Sequence, residues 1–256
     1  MTKKAPILDF DEDRTSILMP NPYAIGVGVP VPNRAVLCFF QDVITEMVEK
    51  GELTLIGNLR SEMGKHPVYS YQFEGNKIVV FQPGVGAPLA AAFLEELIAC
   101  GVTKHMVCGG CGVLNREIEP GHPMVITAAV RDEGTSYHYL APAHQVKPTT
   151  RAVKALEETL KNAGTEYRLV KSWTTDAIYR ETPGRRKGRV AEGCDIVEME
   201  AAAFFAVAQF REVELGQLVY AGDLVVPDGW DGREWHKRTD DRRLMFDLAV
   251  NAVLRL

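Results

Sequence analysis

The stretch Asp195-Ile-Val-Glu-Met-Glu-Ala-Ala-Ala203 hands an apolar run over to a helix with almost no polar face, Ala201-Ala-Ala-Phe-Phe-Ala-Val-Ala208. A helix that is apolar all round has to be buried, so it must pack against a sheet or against other helices. Glu198 and Glu200 stand two residues apart at its start. The helix dipole alone favours an acidic first turn. A carboxylate carried into the interior, however, is costly unless hydrogen-bond donors satisfy it. The two hydroxyls of a vicinal diol, such as the 2′,3′ edge of a ribose, suit one carboxylate. Both readings are open at this point.

Working outward, strand-like runs recur at Ala35–Phe40, Lys77–Gln82, His105–Cys108, Met124–Ala129, Arg168–Ser172 and Gln217–Ala221. Most are continuous apolar runs, as expected of strands covered on both faces. Helical patterns alternate with them at Asp42–Lys50, Pro88–Cys100, Arg151–Ala163, Met199–Phe210 and Thr239–Leu254. The alternation predicts an α/β fold, a single domain with a central mixed sheet flanked by helices. Residues 1–34 read as an N-terminal extension and 35–256 as the catalytic domain. Ligands in such folds gather at the carboxyl ends of strands, so the segments after the strands carry the chemistry.

Composition sets the outer bounds. The 256 residues are 46% hydrophobic and 25% charged, with a net charge of −5. That suffices for a sizeable core and gives no electrostatic case for nucleic acid. No apolar run reaches membrane-spanning length, and the start, Met1-Thr-Lys-Lys-Ala, does not lead into a signal-peptide core. Five cysteines in a chain of this length do not make a secreted disulfide framework. These features point to a reducing, cytoplasmic setting with neither membrane nor nucleic acid as partner.

Four segments after strands stand out. Gly84-Val-Gly86 precedes a helix, but Leu89 occupies the third glycine position of a dinucleotide fingerprint. Close approach of backbone to a ligand, or a tight strand-to-helix turn, explains those glycines. Cys108-Gly-Gly-Cys111 has the spacing of a redox pair, yet its glycines read as a loop lining a cleft, and no second pair completes a zinc site. His138 and His144 are six apart, which suits no standard metal motif. Asp223 follows Gly222 at the end of the apolar run Leu218–Ala221. A carboxyl held partly buried there is a usable proton donor, although an Asp forming a turn after a strand is the plainer account. The following Pro227-Asp-Gly-Trp-Asp-Gly-Arg-Glu-Trp235 reads as a loop able to close over a ligand.

Together these pieces resemble the nucleoside phosphorylase family of hexameric purine nucleoside phosphorylases, uridine phosphorylases and methylthioadenosine nucleosidases. The resemblance runs from about Ala35 to the C-terminus, and Val197-Glu-Met-Glu-Ala-Ala202 is its most specific element. It implies that Met199 packs on the sugar and that Glu200 binds the ribose hydroxyls. Asp223 corresponds to the acid that protonates a departing purine, and Arg238 to the arginine that assists it. Thr175-Asp-Ala-Ile-Tyr179 places Ile178 and Tyr179 beside the base, with Cys111 and Gly112 as the floor. The resemblance further implies nucleoside and phosphate as substrates, no metal or organic cofactor, and a homo-oligomer, dimer or hexamer.

The phosphate site departs from the family pattern. The first strand ends Cys38-Phe-Phe-Gln-Asp42 without an arginine, the second arginine falls at Val107, and a helping Ser/Thr falls at Gly110. Arg60, which a neighbouring subunit supplies in the family, keeps a match. The expected activity is therefore phosphorolysis of a purine nucleoside, with a phosphate-independent nucleosidase and a non-catalytic nucleoside-binding module as the alternatives. A nicotinamide oxidoreductase is not expected.

Overall fold

The stiff apolar run Arg34–Cys38 (β1) sits at the middle of the sheet, and successive β/α units are laid down around it. The computed structural model describes residues 5–256. After β1 come Gln41–Glu49 (α1), the antiparallel strands Leu53–Ser61 (β2) and Gly64–Phe73 (β3), Asn76–Phe81 (β4) and Ala87–Ala99 (α2). The chain continues through Lys104–Val113 (β5), Pro123–Asp132 (β6), Gln145–Val146 (β7), Thr150–Asn162 (α3) and Arg168–Thr175 (β8). It closes with Pro183–Ala191 (α4), Ile196–Glu198 (β9), Ala201–Arg211 (α5), Glu214–Val226 (β10), Gly229–Asp231 (β11) and Thr239–Val253 (α6).

The sheet is mixed, as the sequence predicts, but it also closes on itself. β5 pairs antiparallel with β9, β9 parallel with β8, and β8 parallel with β6. β6 then pairs antiparallel with β10, and β10 returns parallel to β5. From this ring the sheet extends outward through β1 and β4, both parallel, to the antiparallel β3 and β2. One apolar core gathers α2 and α5 against the sheet, and a second gathers α1, α3 and α6 against the other face. Every residue from Ala201 to Ala208 is buried, as the apolar helix requires.

Two expectations are corrected here. Gly109-Gly-Cys-Gly112 is the second half of β5 and not a loop. Along β5 one edge holds β10 throughout, while the other pairs with β1 at 104–108 and with β9 only at Gly112 and Val113. The glycines lie where the strand changes partner, and the neighbours come too close for larger residues. A Cβ on Gly109 would stand 3.0 Å from Phe39 and one on Gly112 3.0 Å from Val197. Asp223 likewise does not end its strand. β10 runs on to Val226, with a break of register between Ala221 and Leu224 that turns Gly222 and Asp223 out of the regular ladder.

The CxxC spacing, read on a strand, sends Cys108 and Cys111 to opposite faces, and they belong to different cores. Cys38, Cys108, Cys111 and Cys194 are buried free thiols. Cys100 is half-buried, with its Sγ facing the carbonyl of Asn21 at 3.8 Å. The segment before β1 is tied to the body at other points too. Arg14 pairs with Glu212, and Ile25 is buried against the bulged Gly57 of β2.

Candidate active site

Along β5 the pairing with β1 ends at Cys108 and that with β9 begins at Gly112, and the carboxylates of Glu198, Glu200 and Asp223 belong to the segments around this gap. Glu198 ends β9. Its side chain is buried, accepting from Ser172 Oγ at 2.7 Å and Thr174 Oγ1 at 2.6 Å, both on β8. It also accepts from the backbone N–H groups of Glu200 at 2.8 Å and Ala201 at 2.6 Å. Those N–H groups are orphans at the start of α5, so Glu198 is the cap of the helix. Thr174 Oγ1 accepts in turn from Ala202 N at 3.0 Å.

Glu200 is 6% exposed and makes a different set of contacts. Its Oε1 accepts from Gly86 N at 2.6 Å, which brings in the loop before α2. Gly86 has φ +95° and Gly84 φ +76°, backbone shapes that favour glycine. The glycine pair therefore serves to aim an N–H at this carboxylate. Burial and the neighbouring Glu198 push Glu200 up to about 8. Burial raises Glu198 as well, and its four donors offset only part of that.

Asp223 stands on the other side of β5. A Cβ added to Gly112 would meet Val197 of β9 at 3.0 Å and Asp223 Oδ2 at 3.4 Å. One glycine thus separates the strand that carries Glu198 from the bulge that carries Asp223. Trp230 Nε1, on the β10–β11 hairpin, donates to Asp223 Oδ2 at 2.7 Å. Cys111 is buried, its Sγ near the carbonyl of Tyr220 at 3.4 Å. Burial pushes its thiol well up, with the charges of Asp223 and Glu198 adding to the effect. Cys111 and Gly112 therefore form the wall between the carboxylates.

The remaining expected residues are more scattered. Met199 is half-buried between the two glutamates. Ile178 and Tyr179 form a 3-10 turn after β8 and are exposed, Tyr179 at 96%. Asp176 beside them accepts from Gly134 N at 2.7 Å. Arg238 is not joined to Asp223. It precedes α6 and pairs with Asp241 at 2.7 Å, next to Gly121. Arg60 is exposed on β2, away from the opening and opposite Lys65.

At the start of the opening, Phe39 stands just after the first strand, where the resemblance expects a phosphate loop, and packs on the Phe204 side of the sheet, whereas Tyr220 packs on the opposite face. The Phe39 ring lies against Gly109, and the Tyr220 ring lies 3.2 Å from a Cβ built on Gly110. Among the described residues no group of three or more His, Cys, Asp and Glu could hold a metal ion. No helix of the described residues is long and apolar enough to cross a membrane.

Residues 33–254 match the phosphorylase superfamily. The chain belongs to that superfamily. Its members include nucleoside phosphorylases, which are pentosyltransferases, and the chain is an enzyme of that type. It is 25% identical over 220 residues to the guanosine phosphorylase of Halorubrum lacusprofundi, covering 84% of this chain and 89% of the relative. The purine nucleoside phosphorylase of Toxoplasma gondii, solved with immucillin-H, superposes with a TM-score of 0.77 at 18% identity, over 94% of this chain and 98% of that one. The AMP nucleosidase of Bacteroides thetaiotaomicron superposes at 0.71 with 20% identity, over 88% of each. The superfamily fold is thus spread over nearly the whole chain.

One carboxylate of this superfamily member escaped the sequence reading. Glu181 follows the Ile178–Arg180 turn and is half-buried. Burial, then the charge of Asp223, pushes it up to about 7. Arg180-Glu-Thr-Pro-Gly carries no hydrophobic pattern, so nothing local marked Glu181 as inward-facing.

Proposed function

We propose that this chain is a nucleoside phosphorylase that cleaves the N-glycosidic bond of a purine nucleoside with phosphate, giving free base and ribose 1-phosphate. The observation that carries this is the position of Asp223 and of the Val197-Glu198 strand end against Gly112, with Glu200 two residues further on taking the N–H of Gly86. In this reading Glu200 accepts the ribose hydroxyls and Met199 packs on the sugar. Asp223 protonates the base as the bond to C1′ breaks, which spares the leaving group a full negative charge. Trp230 Nε1 donates to Asp223 and holds it in place, while Arg238 pairs with Asp241. Ile178 and Tyr179 cover the base from the mouth, and Cys111 and Gly112 lie beneath it. The guanosine phosphorylase relative supports a purine over a pyrimidine.

Arg60 would reach phosphate from a neighbouring subunit, which makes the working form a homo-oligomer. Residues 35–256 would form the catalytic domain and 1–34 an N-terminal extension. A second reading, hydrolysis by water, is favoured by one feature: the Phe39 ring, just after the first strand where a phosphate-binding loop is expected, stands over Gly109. Charge-assisted contacts are the strong ones for phosphate, and an aromatic wall offers none. Base release from guanosine and inosine, measured with and without phosphate, separates the two. Phosphorolysis requires ribose 1-phosphate as product and no turnover in phosphate-free buffer. Equal rates in both buffers, with free ribose, would establish the hydrolase.

A further inference from the structure

The stretch after the β10 bulge forms a bracket over Asp223. Val225 and Trp230 face each other across the antiparallel β10–β11 pair, which folds the indole back towards the bulge. The bracket is fastened to the body at several points. Arg186 Nε donates to the carbonyl of Val225 at 2.7 Å, Arg116 pairs with Asp228 at 2.7 Å, and Arg233 Nη1 donates to the carbonyl of Ile118 at 2.8 Å. Beyond β11, the carbonyl of Trp235 accepts from Arg242 Nη2 at 3.0 Å and from Tyr220 Oη at 3.3 Å. Trp230 is 66% exposed, yet its ring is held on two sides. Its outer edge lies 2.9 Å from where a Cβ on Gly232 would stand, and its Nε1 donates to Asp223 Oδ2 at 2.7 Å. Asp223 Oδ1 has no hydrogen-bond partner among the described residues and is open to solvent.

An indole N–H is a donor with no acceptor site. Bonded to Oδ2, it occupies a lone pair of that oxygen and leaves Oδ1 as the place for a proton. It also fixes the rotation of the carboxyl group, a torsion that is otherwise broad and that a partly exposed Asp has little else to hold. We propose that Trp230 is a positioning residue of the reaction: braced over Gly232, it locks the Asp223 carboxyl so that Oδ1 carries the proton and presents it to the leaving base. The proposal rests on the reading of the site above. As the C1′–N bond breaks, its electron pair goes to the base and the proton passes from Oδ1 to the base nitrogen. The oxygen of the nucleophile bonds to C1′ and gives up its own proton to solvent. Asp223, left as the anion, takes a proton back from solvent. The lock therefore matters only to substrates whose base must be protonated in order to leave.

The test compares the wild-type chain with Trp230→Phe and Gly232→Ala on two substrates. One is guanosine, whose base leaves poorly without a proton. The other is 7-methylguanosine, whose base is already cationic and leaves neutral without one. Trp230→Phe keeps a ring and loses the N–H. Gly232→Ala keeps the indole and puts a methyl in its space, so that the ring must shift off Asp223. Each should lower kcat on guanosine about 10- to 100-fold, as misplacing a general acid does. KM should change less than about threefold, and the loss on 7-methylguanosine should be several-fold smaller. The double variant should lose no more than Trp230→Phe alone, since both changes break one bond. Equal losses on the two substrates, losses confined to KM, or additive losses in the double variant would overturn the proposal. The indole ¹H–¹⁵N resonances of the three tryptophans give a readout independent of turnover. The resonance that Trp230→Phe removes should be protected from exchange with water and should move in Asp223→Asn. A resonance that ignores Asp223, or exchanges as fast as a free indole, sinks the contact. A wild type that releases neither base while this resonance responds removes the nucleoside chemistry and the task of Trp230 with it. An active wild type whose variants lose no selectivity removes the proposal alone.

Discussion

At the scale of single residues, Glu198 and Glu200 divide two tasks that the sequence presents as one acidic turn. Glu198 caps a helix, and Glu200 instead takes the N–H of Gly86 from the loop before α2. A carboxyl accepts two sugar hydroxyls best as the anion, since its protonated form has given up an acceptor site. Glu200, pushed up to about 8, is mostly protonated at neutrality. Nucleoside binding should therefore expel a proton, and KM for guanosine should decrease as pH rises from 6.5 towards 8 and level off beyond. Measuring KM against pH checks this, and Glu200→Gln should abolish the trend while lowering kcat/KM about 10- to 100-fold, the weight of a hydrogen bond to a charged group. Sequence alone marked Glu200, Met199 and Asp223 because their neighbours form a recognisable pattern. It could not join Asp223 to Trp230, because that contact depends on how the β10–β11 hairpin folds back over the bulge.

At the scale of elements, the start of α5 depends on a side chain from the strand before it. Glu198→Ala would leave two hydroxyls and two backbone N–H groups without their acceptor in a buried place. The expected loss is about 3 kcal/mol or more, visible as a lowered denaturant midpoint by circular dichroism. Gly57 makes a second test. A Cβ there would fall 2.1 Å from the carbonyl oxygen of Ile25. Gly57→Ala should lift the segment around Ile25 off β2, costing about 1–3 kcal/mol as an overpacked contact does. Faster proteolysis within residues 5–33 and a lower Tm would register it. The legible elements were those with strong apolar patterns, so α2, α3, α5 and α6 fall close to their expected bounds. The missing helix, α4, buries none of its residues and so has no apolar face to read. β2 and β3 were missed because their residues are largely part-exposed, and β5 and β10 were read short because glycines in a strand look like a loop.

At the scale of the whole molecule, the closed ring was beyond the reach of local pattern, since β10 pairs with β5 only once the chain has returned from α5. Oligomerisation belongs to this scale as well. If Arg60 completes a neighbour's site, mixing inactive Arg60→Ala with inactive Asp223→Asn subunits should restore activity, to about a quarter of the sites in randomly exchanged dimers. Mixtures that stay inactive after verified exchange would confine each site to one chain. The distribution of thiols has a practical consequence. With four sulfurs sealed in the interior and Cys100 half-buried beside Asn21, a maleimide dye should tag the native chain once. That lone fluorophore would sit against the stretch leading up to the first strand, where its brightness could report the fastening and release of that stretch in real time.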